Sequence, residues 1–321
     1  MSLVRSLAAV SMRGALGAAA LVSALALSAC GGNVSRSEPY VPERLVAFGD
    51  EFSVIDSNGH KYTINAVDAT TTTTFVCSNN PIWSQYVAQG YGFIFAQCNP
   101  NNVTPTAFSY AAVGATVDDV VTQVANNGAG FTSTTLVTLM VGMHDVLNAY
   151  ARVDANTLSA DDAKALMTTQ GTKLGQLVNQ IAAQGAGARV LFALVPDISY
   201  SPYAIAEEAA HVGAGRQQLL RDMVVNLNKA ARLAVVDNGR WSALITADEI
   251  VSSMAKLPAS YGLTNVLVAG CASTAPLPDC TTSTLVDSTL VYLWADNLHM
   301  SYGAHSQIGS NALFKARNNP F

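Results

Sequence analysis

The chain has 321 residues, half of them apolar and 12% charged, and a formal net charge of −5. Such a chain can bury a large core, and the absence of basic runs or basic-aromatic patches excludes nucleic acid as an expected partner. Its Gly-rich stretches lack the strand–turn–helix spacing of a dinucleotide or phosphate loop, so no cofactor is expected.

The N-terminus reads as targeting sequence. Arg5 and Arg13 give a basic start, and an Ala/Leu-rich run follows from about Ala15 to Leu27. That run is short for a bilayer span and has the form of a cleavable secretory signal. It ends in Leu27-Ser28-Ala29-Cys30, followed by Gly31-Gly32. This resembles a bacterial lipobox, which implies a signal peptide over 1–29, lipidation of Cys30 and a membrane anchor through that cysteine. A glycine rather than an aspartate after the cysteine implies sorting to the outer membrane. Removing 1–29 takes away two arginines and no acids, so the net charge moves from −5 to −7. Residues 30–43 then comprise the lipidated cysteine and a polar Ser/Glu/Pro tether. The remaining 44–321 show no further composition shift and no internal repeat.

Apolar, β-branched runs predict strands at Leu45–Phe48, Leu136–Val141 and Arg189–Val195, with a weaker one at Ser242–Thr246. The Thr70–Thr74 run reads as a loop or an edge strand. Helical periodicity covers Ala160–Gln184, with Ser159 as cap and Asp161 and Asp162 in the first turn. Further helices are predicted over about Gly213–Val236 and Gly303–Ala316. Strands alternating with helices predict an α/β fold, a three-layer α/β/α sandwich around a parallel sheet. In such sheets ligands bind beyond the carboxyl ends of the strands, where Gly49-Asp50-Glu51 and Gly142-Met143-His144-Asp145 fall.

Apart from Cys30, four cysteines remain: Cys77, Cys98, Cys271 and Cys280. An even number in an exported chain suggests two disulfides. Sequence proximity favours Cys77–Cys98 and Cys271–Cys280 among the three possible pairings. His60, His211 and His305 have no constellation around them and read as surface or packing residues. Trp83, Tyr86, Tyr91 and Phe93 read as core or pocket wall.

Four segments, taken in order, resemble the SGNH/GDSL hydrolases, in particular the bacterial esterase and lecithinase-like lipoprotein branch. Phe48-Gly49-Asp50-Glu51-Phe52-Ser53 is similar to the block that carries the nucleophilic serine, with Glu51 at the serine position. Tyr110-Ala111-Ala112-Val113-Gly114-Ala115-Thr116 looks like the block whose glycine lends an N–H to the oxyanion hole. Gly142-Met143-His144-Asp145 stands where the family has Gly-x-Asn-Asp, so His144 replaces an oxyanion-hole asparagine. Trp294-Ala295-Asp296-Asn297-Leu298-His299 is similar to the block supplying the aspartate and histidine of the triad. The resemblance spans about residues 44–315. It implies the flavodoxin-like SGNH fold, with Glu51, Asp296 and His299 at the catalytic positions and Gly114 and His144 at the oxyanion hole.

The family chemistry needs a serine for attack, a histidine to take its proton and an aspartate to orient the imidazole. With a carboxylate at the serine position, the leading expectation is a binding pseudoenzyme that takes an acyl ester, lipid or glycan ligand. Glu51 is expected beside His299, where flanking acids would favour the imidazolium. One alternative is an esterase that activates water through Glu51 and His299. Another is a metal-dependent hydrolase with Glu51, His144 and His299 as ligands. Asp145 is expected to keep a structural role at its helix start.

Overall fold

A computed structural model of the chain describes residues 40–183, 187–236 and 240–318. The signal peptide, Cys30 and the tether up to residue 39 lie outside the described residues. Among the described residues five strands are present: β1 (Arg44–Gly49), β2 (Ala107–Ser109), β3 (Thr135–Met140), β4 (Arg189–Ala193) and β5 (Ser242–Ile245). Eight α-helices accompany them among the same residues: α1 (Trp83–Gly90), α2 (Val117–Asn127), α3 (Met143–Asp154), α4 (Ala160–Ala183), α5 (Pro202–Ala210), α6 (Arg216–Ala234), α7 (Ala247–Lys256) and α8 (Tyr302–Asn318).

The strands form one parallel sheet in the order β2-β1-β3-β4-β5. All six residues of β3 are buried, and β1 is buried after its first residue. Continuous burial means that both faces are covered, which is why these strands read as unbroken apolar runs rather than alternating ones. The helices supply the cover as two groups. α2, α3, α4 and α6 pack among themselves, and so do α1, α7 and α8. The parallel α/β fold and the four predicted strands, β1, β3, β4 and the edge strand β5, therefore agree with the sequence expectation.

The tightest helix pair is α4 against α6. A Cβ at Gly171 would collide with the carbonyl oxygen of Leu227, so the backbones approach too closely for any side chain there. Ser159 caps α4 as expected, accepting from the Asp162 N–H at 3.0 Å. The Thr70–Thr74 run is a turn, closed by a bridge between Val67 and Phe75.

Both expected disulfides are present, Cys77–Cys98 and Cys271–Cys280, each with 5.7 Å between Cα atoms. No described helix is long and apolar enough to cross a membrane.

The chain order reverses between β1 and β3, and Gly49 pairs with Met140 at the carboxyl end of that pair. The segments that follow them, Asp50-Glu51 and Gly142-Met143-His144, therefore leave the sheet side by side at its topological switch point.

Candidate active site

β1 ends in a turn that only glycine fits. Gly49 has φ of 142°, and a Cβ there would collide with the Met140 carbonyl oxygen. Gln123 of α2 brackets it, accepting from the Gly49 N–H at 3.1 Å and donating to the Gly49 carbonyl at 3.0 Å. Asp50 caps the following 3-10 turn, Glu51–Ser53, by accepting from the Phe52 N–H. Asp50 is completely buried, and burial and then the charge of Glu51 raise its pKa to about 7.

The turn directs Glu51 inward, and only 3% of the residue is exposed. Its carboxylate is enclosed by donors. The Gly114 N–H donates to Oε1 at 2.8 Å. His144 Nε2 lies 2.9 Å from Oε1 and 2.8 Å from Oε2. The backbone N–H of Glu51 itself donates to the carboxylate as well. Burial works to raise the Glu51 pKa. The hydrogen bonds from His144, its own N–H and Gly114 outweigh it, and the net shift is downward. The same contact raises the His144 pKa against the smaller effect of burial. Both shifts favour the charged forms of the pair, carboxylate and imidazolium.

Asp296 and His299 come from one turn. Asp296 Oδ1 accepts from the N–H groups of Leu298 and His299 at 2.8 and 2.6 Å, and its Oδ2 sits 2.8 Å from His299 Nδ1. Burial works to raise the Asp296 pKa, but the His299 hydrogen bond and charge lower it overall. His299 Nδ1 is thereby held toward the acid and Nε2 is left pointing away. Nε2 is buried and has no protein partner. The rings of Tyr62 and Phe52 flank His299, with centroids 5.5 and 6.0 Å away.

The structure departs from the sequence expectation at one point. Glu51 was expected beside His299, and no hydrogen bond joins them among the described residues. The carboxylate turns instead to Gly114 and His144, because three N–H donors converge there and the Glu51 side chain is long enough to reach them. A metal set of Glu51, His144 and His299 is not assembled: among the described residues no three His, Cys, Asp or Glu side chains are grouped to hold a metal. Asp145 takes its expected structural role, accepting from the Val117 N–H at 2.9 Å and so tying α3 to the start of α2.

Several contributors escaped sequence reasoning. Gln123 falls at the edge of the buried Val117–Val120–Val124 face of α2, a register that the α2 sequence itself contains. Tyr62 had no signal. Neither did Lys61, which is fully buried and donates to the carbonyls of Cys77, Asn79 and Asn80 at 2.8, 2.7 and 3.0 Å. His305 is also fully buried, accepting from the Trp83 N–H. Burial lowers its pKa to about 3, so it packs as a neutral imidazole.

A five-stranded parallel sheet with an Asp–His dyad and converging N–H donors at its carboxyl end defines an α/β protein of hydrolase architecture. Residues 45–312 match the model of the GDSL-like lipase/acylhydrolase family, and the chain belongs to that family. Similar solved structures include phospholipase A1 from Streptomyces albidoflavus, at 16% identity and a TM-score of 0.46, covering 86% of this chain and 100% of that one. The extracellular lipase of Streptomyces rimosus is 15% identical with a TM-score of 0.45, covering 86% and 99%. A GDSL-family lipolytic protein from Veillonella parvula is 11% identical with a TM-score of 0.40, covering 84% and 96%. No curated protein sequence matches the chain.

Proposed function

We propose that this member of the GDSL-like family is a lipid-anchored envelope protein that binds an acyl ester, lipid or glycan rather than hydrolysing it. In this reading Glu51 stands at the nucleophile position, and Gly114 and His144 are the oxyanion-hole donors. One observation carries it: the Glu51 carboxylate already occupies the point where the Gly114 N–H, its own N–H and His144 converge. That is where the oxyanion of a tetrahedral intermediate would have to sit. An ester carbonyl oxygen has no place there, and among the described residues His299 Nε2 has no hydroxyl partner to deprotonate.

The same contacts weigh against water activation by Glu51. Both its oxygens are engaged and its pKa is lowered, which makes it a poor base. The Asp296–His299 dyad remains built, so what the site lacks is a hydroxyl at position 51.

The test is hydrolysis of a short-chain chromogenic ester by the wild type, His299→Ala, Glu51→Ser and the double variant Glu51→Ser/His299→Ala. The wild type is expected at background. Glu51→Ser removes the plug and supplies a hydroxyl, and is expected to gain turnover that the double variant loses. Wild-type turnover abolished by His299→Ala would overturn the reading.

Export and anchoring belong to the same proposal. The lipobox-like Cys30 supports them, and the two disulfides suit an oxidising envelope compartment.

A further inference from the structure

The two disulfides differ in access. Cys271 and Cys280 are both buried and pack with Ile64 and Ala295. Cys77 is only half-buried, and Cys77 and Cys98 together line an open cleft of about 440 Å³ with Phe75, Ser78 and Gln97. A thiol arriving from solvent can therefore approach the first bond more readily than the second.

The accessible bond fastens the segment that holds Lys61. Lys61 is fully buried, and an ammonium has three N–H donors to satisfy. They meet the carbonyls of Cys77, Asn79 and Asn80, and Gln85 Oε1 lies 3.3 Å away. Among the described residues the lysine ion pairs belong to Lys164 and Lys173, so no carboxylate shares this charge. A buried charge without a counterion depends on its hydrogen bonds. Those acceptors all lie between Cys77 and Gln85. Gln85 also donates to the Cys77 carbonyl at 2.9 Å, and its Nε2 lies 3.4 Å from Cys98 Sγ.

Lys61 in turn bears on Tyr62. Asn65 accepts from the Lys61 N–H at 3.1 Å and donates to the Lys61 carbonyl at 2.9 Å, which closes residues 61–65 into one turn. Thr63 Oγ1 donates to the Met300 carbonyl at 3.0 Å, one residue beyond His299. Tyr62 stands between these two anchored neighbours, with its ring centroid 5.5 Å from that of His299. A continuous set of contacts thus runs from the disulfide through the Lys61 ammonium and its turn to the imidazole.

We propose that the Cys77–Cys98 disulfide is a redox switch, opened by a dithiol, that sets the position of Tyr62 against His299. A thiolate of the dithiol attacks the Cys77 sulfur from the cleft, the S–S bond breaks, and Cys98 leaves as a thiolate that takes up a proton. The second thiol of the reagent then displaces Cys77. Two electrons and two protons pass to the protein, and the dithiol departs as its own disulfide. The carbonyls around Lys61 are then held by hydrogen bonds alone, water competes for the ammonium, and Tyr62 shifts relative to His299. The proposal rests on the reading above only in taking the His299 side as the place where a ligand meets the protein.

The experiment titrates the purified full chain with dithiothreitol under native conditions. Each step is alkylated with iodoacetamide for peptide mass mapping and read in parallel by proton NMR at the histidine Cε1 positions. Cys77 and Cys98 are expected to become alkylated at concentrations that leave Cys271–Cys280 closed. Over the same steps the His299 resonance, assigned with His299→Ala, should shift while that of His211 stays, and reoxidation should restore it. The shift should be absent in Tyr62→Leu, where no ring remains to move, whereas a general loosening of the fold would move both histidines. Cys77→Ser/Cys98→Ser should show the shifted resonance without reductant, and the reversible titration of the wild type keeps the test valid if that variant folds poorly. The proposal is overturned if both bonds open together, if His299 stays unshifted once Cys77–Cys98 is open, or if Tyr62→Leu shifts as the wild type does. No ester enters the test, so its failure leaves the reading of the Glu51 centre standing.

Discussion

The pairing of Glu51 with His144 governs the site at the scale of single residues, and it carries a stability signature of its own. The Glu51 pKa is lowered from 4.5, so its contribution is complete above the unfolded value and is lost as pH falls through the folded one. The His144 pKa is raised from 6.5, so its contribution is complete below that value and is lost as pH rises through the folded one. The two conditions overlap between pH 4.5 and 6.5. Glu51→Gln keeps the shape and removes the charge from a buried position beside a half-buried imidazole. It should cost about 1–3 kcal/mol in that window, as a buried hydrogen bond to a charged group does. The cost should shrink on both sides, as pH falls below that window through the Glu51 pKa and as it rises above it through the His144 pKa. Urea denaturation of both proteins at several pH values measures it, and a flat difference would show that the pair does not titrate as a unit. The positions of Glu51, Asp296 and His299 were legible in the sequence, because short motifs fix them to strand ends and turns. The direction of the Glu51 carboxylate was not. It depends on the Gly114 N–H, 63 residues away, and on His144, 93 residues away.

At the scale of elements, legibility followed length and burial. β1, β3 and β4 were visible because each is a continuous apolar run set at the centre of the sheet. β2 is three residues long at the sheet edge, with Phe108 only half-buried, and gave no pattern to read. α4 and α6 were visible through their 3.6-residue periodicity. α1 and α5 are eight and nine residues long, too short for a period to stand out. Nor did periodicity disclose how closely α4 and α6 lie. Gly171 looks like a weak point in a helix by propensity alone, and Gly→Ala would ordinarily stabilise it. Here the new Cβ meets the Leu227 carbonyl, a backbone atom that cannot swing away. Gly171→Ala is therefore expected to destabilise the protein by about 1–3 kcal/mol, as overpacking does. A rise in Tm would mean that the helices can separate without loss.

For the whole molecule, the open matter is where the domain is held. The sequence places a cysteine directly after a short apolar core, and the polar stretch up to residue 43 then leads into β1. A single acyl chain gives only marginal binding to a bilayer, so stable anchoring requires more than one chain on Cys30. Cells expressing the full chain in the presence of labelled palmitate should therefore yield a labelled protein that partitions into detergent. Its mass should correspond to a start at Cys30 plus the lipid. In Cys30→Ser the label should disappear and the apolar segment should either remain attached or be cut by a different route, leaving a water-soluble or uncleaved product. An unlabelled wild type would overturn the anchoring proposal. It would leave the reading of the Glu51 centre untouched, since that rests on residues within the folded domain.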